Sequence, residues 1–394
     1  MKAVELFAGA GGLALGTKAA GFHHEAVIEW NRNACDTIRE NNRRGVIEWP
    51  LFQGDVSAFD FKPYEGVDLL AGGPPCQPFS IGGKHRGHVD DRNLFPQAVR
   101  AVREIKPRAV LIENVKGLLR PAFNHFFEYV ILQLTYPELT IRKGEEWQQH
   151  RSRLERHHTK GRKTGLHYQV VWAILNAADF GVPQRRERVF IVGFRCDVAA
   201  RWSFPMPTHS QASLLRSQWL TGEYWERHGI SKRKRPTPSP SIVARLERMN
   251  EDAFALEPWR TVRDGICDLP NPERGKNLIP NHVYNPGARA YAGHTGSPLD
   301  EPAKTLKAGD HGVPGGENML AKPDGSVRYF TVRESARLQS FPDNFIFQGS
   351  WTETMRQLGN AVAVTVGERV ASRIYESLST ERRLEGRNAI QSAR

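Results

Sequence analysis

The sequence predicts an α/β protein in which a mostly parallel sheet is joined by a second, smaller and irregular domain. From residue 1 to about residue 195, short apolar runs alternate with helical patterns, and this alternation is typical of a parallel sheet. Between about residues 196 and 327, proline, glycine and scattered aromatic residues replace the alternation. Helical patterns return from Tyr329 to about Leu378, at Val332–Gln339 and at Ala361–Tyr375, so we expect residues 328–394 to return to the first domain.

The composition excludes several classes of protein. With 39% hydrophobic and 25% charged residues, the 394-residue chain has the composition of an ordinary globular protein rather than of a disordered one. We find no run of about 18 apolar residues, and we expect a cytosolic protein without a secretory leader and without membrane contact. The four cysteines (Cys35, Cys76, Cys196 and Cys267) form no CxxC pair, which argues against a disulfide framework and against a metal site. The net charge of +12 favours a polyanionic partner such as nucleic acid.

Five short apolar runs predict strands of the sheet. They are Ala3–Phe7, Glu25–Ile28, Val67–Ala71, Ala109–Ile112 and Arg188–Phe194. Ligands of open parallel sheets bind beyond the carboxyl ends of the strands, so we expect the chemistry directly after these runs. Residues 142–163 interrupt the pattern, because they hold eight Lys or Arg residues against three Glu. We expect a solvated basic insertion there, either a loop without a role or a loop that contacts phosphates.

The first predicted strand runs into a glycine-rich turn and then into a helix. Gly9, Gly11 and Ala14 satisfy the pattern G-x-G-x-x-G/A, in which glycine lets the backbone approach a ligand closely. Glu29 ends the next strand, twenty residues after Gly9, where a carboxylate can accept hydrogen bonds from ribose hydroxyls. Trp30 beside it offers a face that can stack on adenine.

A third strand end completes the prediction of a cofactor pocket. Gly54, Asp55 and Val56 end a further candidate strand, where they could contact an adenine amino group. Together with the first two strand ends, they predict a pocket for a cofactor that contains adenosine. These residues do not distinguish a nicotinamide cofactor from S-adenosylmethionine, and a tightly packed turn without a ligand would show the same glycines.

A cysteine among prolines stands at the ligand edge of the sheet. The segment Gly72–Ser80, GGPPCQPFS, follows the third predicted strand, and its prolines exclude a helix interior or a central strand. The stiff turn presents Cys76 outward, which fits poorly with an inert buried cysteine. Glu113 follows another strand at the same edge. In the stretch QRRERV, the alternation of Arg186 and Arg188 aims two guanidinium groups to one side of the sheet.

Six motifs resemble those of the bacterial cytosine-5 DNA methyltransferases of restriction-modification systems, and their order also matches that family. They are ELFAGAGG, GGPPCQPFS, ENV, QRRERVFIVG, TVRESARLQSFPD and GNAVAV. The motifs lie at the beginning, middle and end of the chain and leave residues 142–163 and 196–327 uncovered. The resemblance implies a Rossmann-like, S-adenosylmethionine-dependent catalytic domain in residues 1–195 and a target recognition domain in residues 196–327.

The resemblance also implies a reaction, because carbon 5 of cytosine is too weakly nucleophilic to attack a methyl sulfonium unaided. The Cys76 thiolate adds to carbon 6, while Glu113 hydrogen-bonds or protonates ring nitrogen 3. Arg188 contacts the cytosine carbonyl oxygen, with Arg186 in support. The cytosine must first be flipped out of the duplex, and Ile81–Asn93 corresponds to the mobile catalytic loop of the family.

By the same resemblance, one set of residues surrounds S-adenosylmethionine, whose product is S-adenosyl-L-homocysteine. The set is Phe7, Gly9, Gly11, Glu29, Trp30, Asp55, Val56, Pro75, Asn360, Ala361 and Val362. Leu94 is a further candidate. The last three residues of the set are expected to fold back against the first strand. Arg333 and Glu334 are expected to position the second domain rather than to react.

Double-stranded DNA is the expected partner, with the bases read by residues 196–327. The resemblance implies a bacterial enzyme that protects DNA from a cognate restriction endonuclease. We expect it to be a monomer associated with the nucleoid. The closest alternative is a tRNA cytosine methyltransferase with the same catalytic residues. A nicotinamide-dependent oxidoreductase would leave Cys76 and Glu113 without a task, and a catalytically silent DNA-binding relative would not need to keep either of them.

Overall fold

The chain divides into two compact units by its internal contacts. The first unit consists of residues 1–175, 187–205 and 367–394, and the second of residues 176–186 and 206–366. The computed structural model describes residues 1–75, 94–161, 165–199, 201–275, 278–308 and 318–392, with side chains as far as residue 382. None of the helices in these ranges combines the length and the apolar character that a membrane span needs.

A seven-stranded sheet forms the centre of the first unit. Its strands are β1 (Lys2–Leu6), β2 (His23–Glu29), β3 (Leu51–Gln53), β4 (Leu69–Gly72), β5 (Ala109–Val115), β6 (Tyr168–Asn176) and β7 (Glu187–Arg195). Their order is β3-β2-β1-β4-β5-β7-β6. The pairs among β1 to β5 are parallel, whereas β7 runs antiparallel to β5. The predicted mostly parallel α/β sheet is confirmed, and the five predicted strands are all present.

Helices cover the sheet and bury its apolar side chains. They are α1 (Gly12–Ala19), α2 (Arg32–Arg43), α3 (Phe95–Ile105), α4 (Asn124–Thr135), α5 (Trp147–Thr159) and most of α12 (Val364–Ser392). Helix α3 places Ala98, Val102 and Ile105 in the same apolar core as the strand residues Leu70 and Ile112. The packing of this core fixes the position of each strand along its own axis, and therefore fixes where the carboxyl ends of the strands meet solvent.

Residues 147–159 form a helix, so the expectation of a solvated loop over 142–163 is wrong for this part. The side chains of Glu146 and Gln149 cap the start of α5. Leu154 and His150 of α5 are buried, and the Nδ1 atom of His150 lies 2.7 Å from the Tyr129 hydroxyl on α4. A few buried positions are enough to pack a helix whose remaining surface is charged. The apolar pattern along the sequence is then too sparse to predict the helix.

The second unit has smaller sheets than the first unit, with three and two strands, and its elements are shorter. Its strands pair as β8 (His209–Ser210) with β9 (Glu257–Pro258), and as β10 (Ser297–Pro298), β11 (Met319–Ala321) and β12 (Val327–Tyr329). Its helices are α6 (Gln211–Trp219), α7 (Glu223–Arg227), α8 (Pro240–Leu246), α9 (Val262–Ile266), α10 (Val332–Arg337) and α11 (Trp351–Asn360). These short elements agree with the irregular second domain that the composition predicts.

The two units differ from the domain boundaries that the sequence predicts at residues 195 and 327. Phe330 and Leu338 pack in one apolar cluster with Val262 of α9, which places the segment after residue 327 in the second unit. Residues 176–186 join the same unit, where the Gln184 side chain donates to the Leu338 carbonyl at 3.1 Å. A change of composition marks where one pattern stops, but it does not reveal which core a segment joins.

The helices near the carboxyl end also differ in their limits from the sequence prediction. The pattern Val332–Gln339 corresponds to α10, which Thr331 and Glu334 begin with a reciprocal capping box. The pattern Ala361–Tyr375 predicts one helix, whereas α11 ends at Asn360 and α12 begins at Val364. Ala361 adopts an extended conformation between them, with φ −65° and ψ 148°. Helix α11 itself is missing from the sequence prediction.

Candidate active site

The turn after β1 has a backbone that few residue types adopt. Phe7, Gly9 and Gly11 have φ angles of 54°, 55° and 89°, all in the left-handed region. A Cβ atom on Gly11 would lie 2.4 Å from the ring of Trp49, so only glycine fits there. A Cβ atom on Gly9 would meet nothing within 4 Å, which leaves open space beside the turn.

Glu29 connects this turn to the end of β2. One carboxylate oxygen accepts a hydrogen bond from the Gly9 backbone N–H at 2.7 Å. The other oxygen accepts from the N–H groups of Trp30 at 3.0 Å and Asn31 at 2.7 Å. A carboxylate has about four acceptor positions, so the oxygen that faces Gly9 can still accept a hydroxyl hydrogen bond. The adjacent Trp30 side chain is 74% exposed, and its ring is available for stacking.

The end of β3 brings a second carboxylate to the same edge of the sheet. The Gly54 N–H donates to the Glu29 carbonyl at 3.0 Å, so the two strand ends are neighbours. Asp55 is exposed, and its side chain accepts from the Ser57 N–H at 2.8 Å. This hydrogen bond holds the pKa of Asp55 below its ordinary value. Val56 is buried beside it and contributes packing.

A second group of side chains lies at the carboxyl end of β5. In the antiparallel pairing of β5 with β7, Val115 is opposite Arg188 and Glu113 is opposite Phe190. The Arg188 Nε atom lies 3.1 Å from a Glu113 carboxylate oxygen, and both side chains are largely buried. Burial lowers the pKa of Arg188 and the Glu113 charge opposes that shift. An arginine nevertheless stays protonated, so Arg188 keeps its positive charge beside the Glu113 carboxylate at this strand end.

Asn114 holds the segment that precedes Cys76. Its buried side-chain amide donates to the Pro74 carbonyl at 3.0 Å. A Cβ atom on Gly73 would lie 3.4 Å from a Glu113 carboxylate oxygen, so the segment passes close to that carboxylate. Pro75 is exposed at the end of the described segment, whereas Cys76 and Ile81–Asn93 lie outside the described residues. Sequence analysis missed the role of Asn114, although the residue stands beside Glu113 in the ENV motif.

Arg186 does not share the strand of Arg188, contrary to the expected alternation. β7 begins at Glu187, and alternation of side chains holds only inside a strand. The buried Arg186 guanidinium donates to the carbonyls of Leu306 at 3.2 Å, Gly359 at 2.8 Å and Ala361 at 2.7 Å. It therefore ties the QRRERV motif to the GNAVAV motif within the second unit. Its support of Arg188 and the folding of Asn360–Val362 onto the first strand stay predictions.

We expect Arg186→Lys to lower the free energy of unfolding by about 2–4 kcal/mol. The planar guanidinium of arginine donates to three carbonyls at once, and the single ammonium group of lysine cannot reproduce that geometry. Chemical denaturation measures this change. Arg185→Lys is the matched control, since Arg185 is more exposed and pairs with Glu301 at 2.7 Å; we expect a change below about 1 kcal/mol. Equal stability of the two variants would contradict the role given to Arg186.

Arg333 and Glu334 stabilise the second unit internally. The buried Arg333 guanidinium donates to the carbonyls of Pro280, Pro342 and Phe345 at 2.9 to 3.2 Å. Glu334 forms a buried ion pair with Arg328. Leu94 is the residue before the first turn of α3.

Among the residues that the structure describes, no group of His, Cys, Asp and Glu side chains is arranged to hold a metal ion.

The family model described as C-5 cytosine-specific DNA methylase matches residues 1–136 and 147–376. Residues 137–146, in the loop before α5, and residues 377–394 lie outside the match. The chain is 31% identical over 382 residues to the type II methyltransferase M.NgoMIV of Neisseria gonorrhoeae, covering 96% of this chain and 98% of that protein. It is also 31% identical to M.Eco47II of Escherichia coli, covering 95% and 79%. The fold is similar to that of the S. pombe Dnmt2 methyltransferase, with a TM-score of 0.56, 18% identity and coverage of 96% and 99%.

Proposed function

This chain belongs to the C-5 cytosine-specific DNA methylase family and is a DNA cytosine-5 methyltransferase, and we propose that Cys76, Glu113 and Arg188 carry out the methyl transfer. The observation that supports these residues is the buried pair of Glu113 and Arg188 beside the segment that leads into Cys76. A carboxyl group, a fixed cation and a nucleophile are the three groups that activation of a cytosine ring requires.

The proposed reaction begins with the addition of the Cys76 thiolate to carbon 6 of the cytosine. A sulfur–carbon bond forms, and the electrons of the double bond between carbons 5 and 6 move toward the ring carbonyl and nitrogen 3. Glu113 supplies a proton or a hydrogen bond at nitrogen 3, while Arg188 stabilises negative charge on the carbonyl oxygen. Carbon 5, now enamine-like, would take the methyl group while the bond between that group and the sulfonium of the donor breaks, which leaves a thioether. Water or hydroxide then takes the carbon 5 proton, nitrogen 3 gives back any proton to Glu113, the double bond between carbons 5 and 6 re-forms, and the bond between carbon 6 and the Cys76 sulfur breaks to release the thiolate.

We propose S-adenosylmethionine as the methyl donor, and the residues at the first three strand ends fit it. Bound there, it would supply an electrophilic methyl group on a sulfonium. Glu29 has acceptor capacity left for a ribose hydroxyl, and the exposed Trp30 ring can cover one face of adenine. The low pKa of Asp55 keeps a carboxylate available for the adenine amino group. Phe7, Gly9 and Gly11 shape the turn against which the cofactor would lie.

We expect Gly11→Ala to weaken the binding of S-adenosylmethionine at least about tenfold and to destabilise the chain by about 2–4 kcal/mol. The added Cβ atom would strain a φ of 89° and overlap the Trp49 ring. Calorimetric titration and chemical denaturation measure the two effects. Gly45→Ala is the control, because Gly45 also has a positive φ, 69°, but open space around it. Equal cofactor affinity in the two variants would contradict the assignment of the turn.

We further propose that the enzyme is the modification partner of a restriction endonuclease. The curated relatives M.NgoMIV and M.Eco47II are named type II methyltransferases, which supports this role. The target cytosine is flipped from a specific duplex sequence that the residues between about 196 and 327 read. The enzyme would act on its site as a monomer, because one catalytic set acts on one flipped base.

A side-by-side assay of duplex DNA and tRNA with labelled S-adenosylmethionine tests the proposal. We expect label in duplex DNA and none above background in tRNA. Exclusive labelling of tRNA would contradict the DNA substrate. An oxidoreductase would show neither product and would bind a nicotinamide cofactor instead, so calorimetric titration with both cofactors accompanies the assay.

A further inference from the structure

One loop of the second unit exposes several large apolar and aromatic side chains. Val283 is 73% exposed, Tyr284 is 39% exposed and Tyr291 is 47% exposed. Soluble proteins expose single apolar residues commonly, but a cluster within a few residues indicates a surface that meets a partner. We name residues 283–295 the exposed loop.

The exposed loop begins at two residues that are firmly held. Asn281 has a φ of 63°, and its side chain exchanges two hydrogen bonds with the Phe347 backbone, at 2.8 and 3.1 Å. His282 is buried, and its ring nitrogens lie 2.8 Å from the Thr331 hydroxyl and 2.7 Å from the Pro270 carbonyl. The entry of the loop is therefore fixed in position, although the next two side chains point into solvent.

The exposed loop also ends at a fixed point. Gly296 has a φ of 78°, and a Cβ atom there would lie 3.1 Å from backbone atoms of Met319 and Ala321. Ser297 follows, fully buried, and begins β10, which pairs with β11. Near its tip, Tyr291 and His294 exchange two backbone hydrogen bonds, at 2.8 and 3.2 Å. A loop held at both ends and closed at its tip pays little further entropy when it binds.

The charge around the exposed loop favours a polyanionic partner. No Asp or Glu occurs from residue 274 to residue 299, whereas the chain as a whole has 43 of them in 394 residues. Arg289 is exposed, and it pairs with no carboxylate in the part of the chain that the structure describes. The loop therefore combines an unpaired guanidinium with two tyrosine rings and no repulsive charge, which suits contact with nucleic acid.

We propose that the exposed loop enters a groove of the DNA duplex and that Arg289 reads a base edge there, an inference that rests on the proposed function. An arginine guanidinium makes two parallel hydrogen bonds to guanine, the commonest specific contact in protein–DNA complexes. The rings of Tyr284 and Tyr291 pack on the sugars or bases on either side of it. Arg289 is thus a specificity-determining residue, and its loss changes which sequence is methylated.

The test compares Arg289→Ala and Arg289→Lys with the wild-type chain on a library of randomised duplexes, read by bisulfite sequencing. We expect both variants to lose about tenfold to a hundredfold of the preference at one base position. Lysine keeps the charge but not the two-pronged geometry, so a contact to phosphate alone would survive in Arg289→Lys. Arg248→Ala is the matched control, because Arg248 is exposed in the same unit and far along the chain from the loop.

Two results would overturn the inference. One is a wild-type base preference at every position in Arg289→Ala, including the case in which binding weakens uniformly. The other is a full rescue of the preference by lysine, which would assign Arg289 to the phosphate backbone. Binding of fluorescent duplexes, measured without turnover, shows whether the proposed role of the loop fails or the proposed function fails. A wild-type chain that methylates no DNA would contradict the proposed function, and equal sequence preference in binding by wild type and Arg289→Ala would contradict the role of the loop.

Discussion

Replacement of Cys76 by serine is expected to reduce methyl transfer by about a thousandfold or more, with cofactor affinity unchanged within about twofold. A serine hydroxyl has a much higher pKa than a thiol and is a far weaker nucleophile toward carbon 6 of cytosine. The strand ends that carry Glu29 and Asp55 do not depend on the thiol, so the cofactor still binds. Labelled methyl transfer and calorimetric titration measure the two quantities.

Cys267→Ser is the matched control for this prediction. Cys267 is an exposed free cysteine directly after α9, and we expect its replacement to leave the transfer rate within about twofold of wild type. Turnover by Cys76→Ser at a rate close to that of Cys267→Ser would remove Cys76 from the mechanism.

The second large effect is expected for Glu113→Gln, which should lower the transfer rate by about a hundredfold to ten-thousandfold. The amide keeps the shape of the side chain but cannot deliver a proton to nitrogen 3. It also leaves Arg188, whose Nε atom lies 3.1 Å from the carboxylate, without a countercharge. Single-turnover rates with a duplex that contains the methylated site measure the loss directly.

Glu187→Gln separates the catalytic effect of Glu113→Gln from the effect of removing one negative charge from the neighbouring strand β7. Glu187 begins β7, is exposed, and pairs with Lys116 at 2.9 Å on the surface. Removal of an exposed ion pair changes stability by less than about 1 kcal/mol, and we expect a nearly wild-type rate. If Glu113→Gln retained the rate of Glu187→Gln, ring nitrogen 3 would need another proton donor.

The sequence predicts the centre of the fold better than its margins. Strands β1, β2, β4, β5 and β7 are apolar runs because both faces of these strands are covered. β6 is missing from the sequence prediction although it holds the unbroken apolar run Val170–Leu175, and in the structure it lies at the edge of the sheet with Val171, Trp172 and Ile174 exposed. Helix α5 is concealed by its charged surface.

The sequence predicts those residues of the candidate site that can be identified from the short segment in which they lie. Glu29 and Glu113 stand at strand ends, and the rule that ligands bind at the carboxyl ends of parallel strands is enough to find them. The contacts of Asn114 and Arg186 are not local. Asn114 reaches Pro74, 40 residues away, and Arg186 reaches Ala361, 175 residues away. Only the folded chain brings such partners together, and no periodic pattern records them.

Bisulfite sequencing of mixed genomic DNA, after incubation with the protein and labelled S-adenosylmethionine, tests the central claim most directly. We predict that cytosines within one short sequence context become methylated on carbon 5 and that label appears in the same DNA. A folded, cofactor-binding protein that leaves every cytosine unmodified would contradict the assignment as a DNA cytosine-5 methyltransferase.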